Sequence, residues 1–231
     1  MNDKIIVLIP AYEPTLDMIN LLEELNEKNL KSVVVDDGSG KEYSDIFKKA
    51  KKYSTVLVHA DNRGKGAALK TGYKYISENY KSDFVIVTVD CDGQHKIDDA
   101  VKICEFALKH ENFLVIGKRL RGEKTPLRSY LGNAITRFVY RITTGIDVYD
   151  TQSGLRAFSC KLLPFMLKVD GERFEYEMNV LLECPKNKVK IKEIKIETIY
   201  IDKNSGSHFN AVKDSARIYK KIFSHMFRKN K

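Results

Sequence analysis

The segment DFVIVTVDCDGQH, residues 83–95, carries an apolar, β-branched run straight into two acids one residue apart. Its length and composition suit a buried strand. In extended chain, alternate side chains share a face, so Asp90 and Asp92 point one way and Cys91 the other. Two carboxylates side by side repel each other. The arrangement therefore calls for a cation between them, or for solvent around both.

Strand patterns recur on either side of this one, at residues 4–10, 32–40, 54–60 and 112–118. Helical periodicity fills the gaps, at 15–29, 41–53, 64–80 and 97–110. Strands separated by helices of this length imply βαβ units and a parallel, twisted sheet. Such sheets gather ligands at the carboxyl ends of their strands. Here those ends carry Pro10-Ala11-Tyr12, Asp36-Asp37, Asp90-Cys91-Asp92 and Gly117-Lys118-Arg119. The second half is less regular: a helix over 127–145 ended by Gly145, a loop and short strand over 150–159, and a helix over 174–187 stopped by Pro185. Residues 188–201 alternate strictly and read as a half-exposed strand. No repeat, low-complexity tract or linker divides the chain, so residues 1–231 are expected to form a single α/β domain.

The chain has 231 residues, 43% apolar and 31% charged, with a formal net charge of +9. That is enough chain for a substantial core. No apolar run approaches the roughly 18 residues of a membrane span. The N-terminus lacks the basic and apolar regions of a secretory signal, so a cytoplasmic location is expected. Cys91, Cys104, Cys160 and Cys184 form no C-x-x-C pair and read as reduced thiols. The positive charge favours an anionic partner. Within residues 213–231 seven side chains are Lys or Arg and only Asp214 is acidic, while Ile218, Ile222, Phe223, Met226 and Phe227 recur at helical spacing. Residues 210–231 thus read as a basic amphipathic helix, either docked on the domain or lying on anionic lipid.

Several nucleotide-binding chemistries are excluded. A dinucleotide-binding turn needs glycines after the first strand, but that turn is PAYEPT, without one. GKGAAL at 64–69 lacks the third glycine and follows the third strand. No GxxxxGK[ST] is present. Nucleic-acid binding finds no recognisable motif, and the basic residues thicken on the terminal helix rather than beside aromatics in a groove. Acids at strand ends remain: Asp36 and Asp37 can accept from ribose or a base, or can simply make a turn. A hard divalent ion takes one or two carboxylates and phosphate oxygens. Gln94 can add an amide oxygen. His95 fits a ligand, a second-layer donor or a turn residue.

PAYEP, VVVDDGS, NRGKGAALKTG and VDCDGQH, in this order and at these intervals, resemble family 2 glycosyltransferases of the GT-A fold, a Rossmann-like three-layer sandwich with a mostly parallel central sheet. GKR (117–119), PLRSYLGN (126–133), DTQSGLRAF (150–158) and RFEYEMNVLLE (173–183) resemble the dolichyl- and polyprenyl-phosphate sugar transferases, of the dolichol-phosphate mannose synthase type. The resemblance implies that Pro10, Ala11, Tyr12, Glu13, Asp36 and Asp37 hold the nucleoside. It implies that Lys65, Asp90, Cys91 and Asp92 join the donor site, and that Asp90, Asp92 and Gln94 hold Mg²⁺ or Mn²⁺ on the donor diphosphate. Arg119 and Arg128 would clamp phosphate oxygens. Asp150, Thr151, Gln152 and Ser153 would lie near the sugar.

The implied reaction is inverting transfer of a hexose from a UDP- or GDP-linked donor to a polyprenyl phosphate. That acceptor is already an anion and needs no base. The implied place is the inner face of the plasma membrane, held by an anionic surface or by a separate multi-span protein. The competing acceptor is a glycan hydroxyl, which needs a base, for which Glu175, Glu177 and Asp150 are the candidates. Glu175 and Glu177 are two apart on a helix, so at most one faces the cleft. Ser207 and His208 either close over phosphate or pack as a loop.

Overall fold

The structure, a computed structural model, describes residues 1–119 and 133–197, together with the backbone of 127–132. The expected helix over 210–231, and Ser207 and His208, lie outside the described residues.

Seven strands form one sheet in the order β3-β2-β1-β4-β6-β5-β7. They are β1 (Ile5–Ala11), β2 (Lys31–Asp36), β3 (Thr55–Val58), β4 (Val85–Thr88), β5 (Phe113–Arg119), β6 (Arg156–Ser159) and β7 (Lys190–Ile196). Only β6 runs antiparallel, to β4 on one side and β5 on the other. The sequence placed a short strand near 150–159, but not its insertion between two parallel neighbours. Pairing order depends on contacts far apart in the chain, which local pattern does not encode.

The helices are α1 (Asp17–Glu27), α2 (Ser44–Ala50), α3 (Lys65–Asn79), α4 (Ile97–Lys109), α5 (Leu127–Thr144), α6 (Leu163–Lys168) and α7 (Glu175–Glu183). α6 was not anticipated. It is short, and Pro164 in its first turn suits a helix start.

Strand side chains alternate between two cores. Ile6 and Leu8 of β1, Ile86 of β4 and Leu114 and Ile116 of β5 pack with α3, α5, α6 and α7. Ile5, Val7, Ile9, Val85, Val87 and Val115 pack with α1, α2 and α4. The result is three layers, helix on sheet on helix. The central strands are buried on both faces, which is why they read as continuous apolar runs. Among the described residues β7 pairs with β5 alone; the expected strict alternation breaks at Lys192-Glu193, with Ile191 against one core and Ile194 and Ile196 against the other. Among the described residues no helix is long and apolar enough to cross a membrane.

Parallel pairing sets the carboxyl ends of β1, β2, β4 and β5 on one edge. The Asp37 amide donates to the Ala11 carbonyl at 2.8 Å, and the His59 amide donates to the Asp36 carbonyl at 2.8 Å, so these ends are stitched together.

Candidate functional site

The centre of this edge is an ionic cluster. Lys65 Nζ lies 2.8 Å from Asp90 Oδ1 and 3.1 Å from Glu177 Oε2. Glycines make the meeting possible. Gly64, at φ +104°, precedes α3, and a Cβ there would stand 2.4 Å from Arg173 Cγ and 2.6 Å from the Glu172 carbonyl. A Cβ on Gly66 would meet Tyr176 Cβ at 2.6 Å. The two positions let α3 start against the entry of α7, which brings Lys65 onto Glu177. Burial lowers the Lys65 pKa, but the charges of Asp90 and Glu177 outweigh it and hold the ammonium well above its ordinary value. Burial likewise raises Asp90, but Lys65, with His95 adding, holds this carboxyl well below the usual range. Glu177 was expected only as a possible base, and its link to Lys65 is not written in local sequence.

His95 is 7% exposed, with Nε2 3.7 Å from Asp90 Oδ2. It stands behind the acid, as a second-layer donor does. Its buried Nδ1 has no hydrogen-bond partner. Asp92 Oδ1 accepts from the Gln94 amide at 3.1 Å. Burial, and then the charge of Asp90, raise the Asp92 carboxyl above its ordinary value. Cys91 stands between the two acids in the chain. It packs beside the α1–α2–α4 core, and burial pushes its thiol up to about 12. β4 ends at Thr88, so Asp90, Cys91 and Asp92 lie in the turn after it and not, as expected, on alternating faces of the strand.

At the tips of β1 and β2, Tyr12 is hydrogen-bonded to Glu13, which raises the phenol above its ordinary value. Glu13 takes a left-handed φ of 49° and donates its amide to Ser39 Oγ at 2.9 Å. A non-glycine residue held there stores strain at the strand end. Pro10 lies within β1, and Ala11 is buried, so Ala11 offers the cleft no side chain. Asp36 Oδ1 accepts from the Ser39 amide at 2.9 Å, closing the turn.

Asp37 is held by the protein on both oxygens. Its Oδ1 accepts from Arg63 N at 3.0 Å and lies 2.7 Å from His59 Nδ1. Its Oδ2 accepts from Gly64 N at 2.7 Å. His59 Nε2 is in turn 2.9 Å from Thr71 Oγ1. With three protein partners and a side chain 4% exposed, Asp37 anchors the loop ahead of α3.

The far wall is Arg119, at the end of β5. Its Nε and Nη2 donate to Asp150 Oδ2 and Oδ1 at 2.8 and 3.0 Å. Burial raises Asp150, but this two-pronged bond lowers it further than burial lifts it. The neighbouring loop is held from inside by Arg156, 3% exposed, which donates to the carbonyls of Ser153, Thr151 and Glu177. Sequence reading gave Arg156 no role. The available signal was a cation inside an apolar strand, which needs buried acceptors. Thr151 Oγ1 is fixed by Asn133 and Thr136. Ser153 is fully buried with an unpartnered Oγ, and Gln152 donates its amide to Asp150 Oδ1. Arg128 lies outside the residues whose side chains are described.

The donor chemistry near Asp90 suits a hard divalent ion. Two carboxylates and the Gln94 amide offer only oxygens. The raised Asp92 carboxyl marks a spot where a second cation would relieve repulsion. Among the described residues no cluster of three His, Cys, Asp or Glu side chains converges, so protein ligands alone would not complete a shell.

The sequence pattern of "Glycosyl transferase family 2" matches residues 6–167. An uncharacterised protein of Methanocaldococcus jannaschii is 32% identical over 232 residues, spanning 98% of this chain and 94% of that one. The UDP-N-acetylglucosamine–dolichyl-phosphate N-acetylglucosaminyltransferase of Methanococcus voltae is 32% identical over 224 residues, 87% of this chain and 88% of that one. Among solved structures, glucosyl-3-phosphoglycerate synthase from Mycobacterium tuberculosis, in complex with Mn²⁺, UDP-glucose and phosphoglyceric acid, superposes with a TM-score of 0.69 at 18% identity. The superposition covers 96% of this chain and 79% of that one, and supports the GT-A fold. With its motifs, its sheet and these matches in agreement, the chain belongs to glycosyl transferase family 2.

Proposed function

We propose that this glycosyltransferase moves a hexose from a UDP- or GDP-linked donor to a polyprenyl phosphate, inverting the anomeric centre, at the cytoplasmic face of a membrane. The observation that carries the reading is the state of the carboxylates a hydroxyl acceptor would need as base. Asp150 is bound by Arg119, and Glu177 by Lys65. Glu175 Oε1 accepts from the amides of Glu172 and Arg173, while its Oε2 is buried without a hydrogen-bond partner among the described residues. A general base works best with a proton affinity near the working pH, and Asp150, ion-paired and held low, is a poor one. A lipid phosphate attacks as an anion and needs none of them.

Asp90, Asp92 and Gln94 would hold Mg²⁺ or Mn²⁺. When bound, such an ion neutralises charge on the departing nucleoside diphosphate. Lys65 keeps Asp90 ionised and oriented. Arg119, its fork fixed by Asp150, presents a permanent planar cation where phosphate oxygens would sit. The turn at Tyr12, Glu13 and Asp36 forms the nucleoside end. The Methanococcus voltae relative, by its name a dolichyl-phosphate transferase, supports a lipid-phosphate acceptor.

The test is transfer of labelled sugar from UDP- and GDP-hexoses into an organic-extractable product, with polyprenyl phosphate, detergent and Mn²⁺. The expected result is label in the organic phase that Asp92→Asn abolishes. Metal-dependent donor hydrolysis with no extractable label would move the acceptor to a glycan hydroxyl.

A further inference from the structure

Helix α5 carries apolar side chains on its outward face as well as against the core, where Tyr140 is buried and Val139 packs. Its inward face carries Asn133, Thr136, Tyr140 and Thr143, each at most 5% exposed. Each polar group there has a partner. Asn133 donates to the Tyr149 carbonyl, Thr136 meets Thr151, Tyr140 donates to the Leu181 carbonyl, and Thr143 donates to the Val139 carbonyl. The outward face carries Ile135, Phe138 and Ile142, with Ile146 just beyond the helix end, exposed by 40, 64, 58 and 37%. Their spacing of three, four and four residues makes one continuous stripe. Scattered exposed apolar residues are ordinary, but an aligned stripe turned away from the core marks a contact surface.

Cations border it. Arg141 is exposed on the same helix. Arg137, bound to Asp147, and Lys118 approach the Tyr149 ring, at 4.9 and 4.4 Å from its centroid. The nearby acids are engaged, Asp147 by Arg137 and Glu193 by the amides of Tyr149 and Asp150. Tyr149 adjoins Asp150, and hence the Arg119 wall.

We infer that the outward face of α5 docks on an anionic lipid bilayer, its apolar stripe in the headgroup boundary and Lys118, Arg137 and Arg141 on the lipid phosphates. A narrow apolar stripe with a cationic margin is the pattern of an interfacial helix. A second copy fits less well, since each copy carries a net charge of +9 and the stripe is one helix wide. The segment 213–231 of this chain also fits less well, because its seven Lys and Arg would stand beside the same cations. The use of this docking, bringing the Arg119 end of β5 to a membrane-borne acceptor, rests on the polyprenyl phosphate reading. The binding itself does not.

The test is sedimentation of the full chain with vesicles of phosphatidylcholine, with and without phosphatidylglycerol. Wild type should bind the anionic vesicles, less so as salt rises. Phe138→Ser/Ile142→Ser should lower the partition coefficient by roughly tenfold or more. Arg141→Gln should lower it by about fivefold. Both variants should keep wild-type circular dichroism and wild-type transfer in detergent. Three results overturn the inference: no vesicle binding by wild type, undiminished binding by the double variant, or a concentration-dependent dimer that the double variant dissolves without any vesicle binding. Vesicle binding that follows the expected pattern while detergent transfer is absent even in wild type leaves the docking face standing and removes the polyprenyl phosphate reading.

Discussion

Lys65 Nζ stands 2.8 Å from Asp90 Oδ1, so the first acid of the Asp-Cys-Asp segment already has a protein cation as partner. Removing one partner of a largely buried pair leaves the other uncompensated. Lys65→Met should strand two carboxylates, Asp90 and Glu177, facing each other. The expected cost is about 2–4 kcal/mol of unfolding free energy, scaled down for the partial exposure of Asp90. Urea titration at neutral pH measures it. Lys65→Met/Glu177→Gln should recover part of the stability without recovering transfer, because Asp90 remains unpaired. Full recovery of transfer in the double variant would show that Lys65 matters only for folding.

Asp92 should behave in the opposite way. Burial and the Asp90 charge raise its carboxyl in the folded chain. A raised acid costs stability above its folded pKa and stops costing it once protonated. In the absence of divalent metal, Asp92→Asn should therefore raise the melting temperature at neutral pH, by about 2–4 °C if the relief is about 1 kcal/mol. The gain should shrink on acidification and on adding Mn²⁺ to the wild type. A lower melting temperature for metal-free Asp92→Asn would remove the case that the two acids repel. The pairing of a stabilised fold with lost transfer is the usual sign of a charge held for function.

The parts of this picture that were legible in the sequence are those set by period and order. Apolar runs gave the strands because β1, β4 and β5 are buried on both faces. The strand ends marked the functional edge because parallel pairing puts them together. Three things were not legible. β6 sits between β4 and β5 through pairings of residues far apart in the chain, such as Thr88 with Arg156 and Val115 with Ala157. The anchoring of the α3 entry by Asp37 depends on Arg63, Gly64 and His59, which only the fold brings to it. Lys65 and Glu177 meet across more than a hundred residues, and nothing local in either segment signals the other.

The Arg119–Asp150 fork has a pH signature. Asp150 is 4% exposed, and despite burial its bond to Arg119 holds the folded pKa below the ordinary value. A depressed carboxyl contributes stability that is fully present above the unfolded value, about 3.9. That contribution fades as pH falls through the lower folded value. Asp150→Asn should cost about 1–3 kcal/mol near neutrality. The gap from wild type should narrow below about pH 4. Urea titrations across that range measure it. A gap that widens on acidification would reverse the sign and contradict the ion pair. Transfer should fall as well, since Arg119 loses the partner that fixes its plane.

Gly154 tests how tightly Asp90 is placed. A Cβ there would lie 2.3 Å from Asp90 Oδ2 and 2.8 Å from its Cγ. A free carboxylate would swing aside, but this one is held by Lys65 on one oxygen and faces His95 on the other. Gly154→Ala should therefore displace the acid out of its pocket, or break its bond to Lys65, with transfer falling by about a hundredfold. The fold should lose less, about 1–3 kcal/mol for the local overpacking. Gly145→Ala serves as the comparison. That position has φ +76° but nothing within 4 Å of an added Cβ, so it should cost about 1 kcal/mol of backbone strain and leave detergent transfer unchanged. The informative quantity is the ratio of lost transfer to lost stability in the two variants. A large ratio for Gly154→Ala alone means that the glycine is kept to seat Asp90. Equal ratios would mean that Asp90 has room to move, and that Lys65 does not fix it.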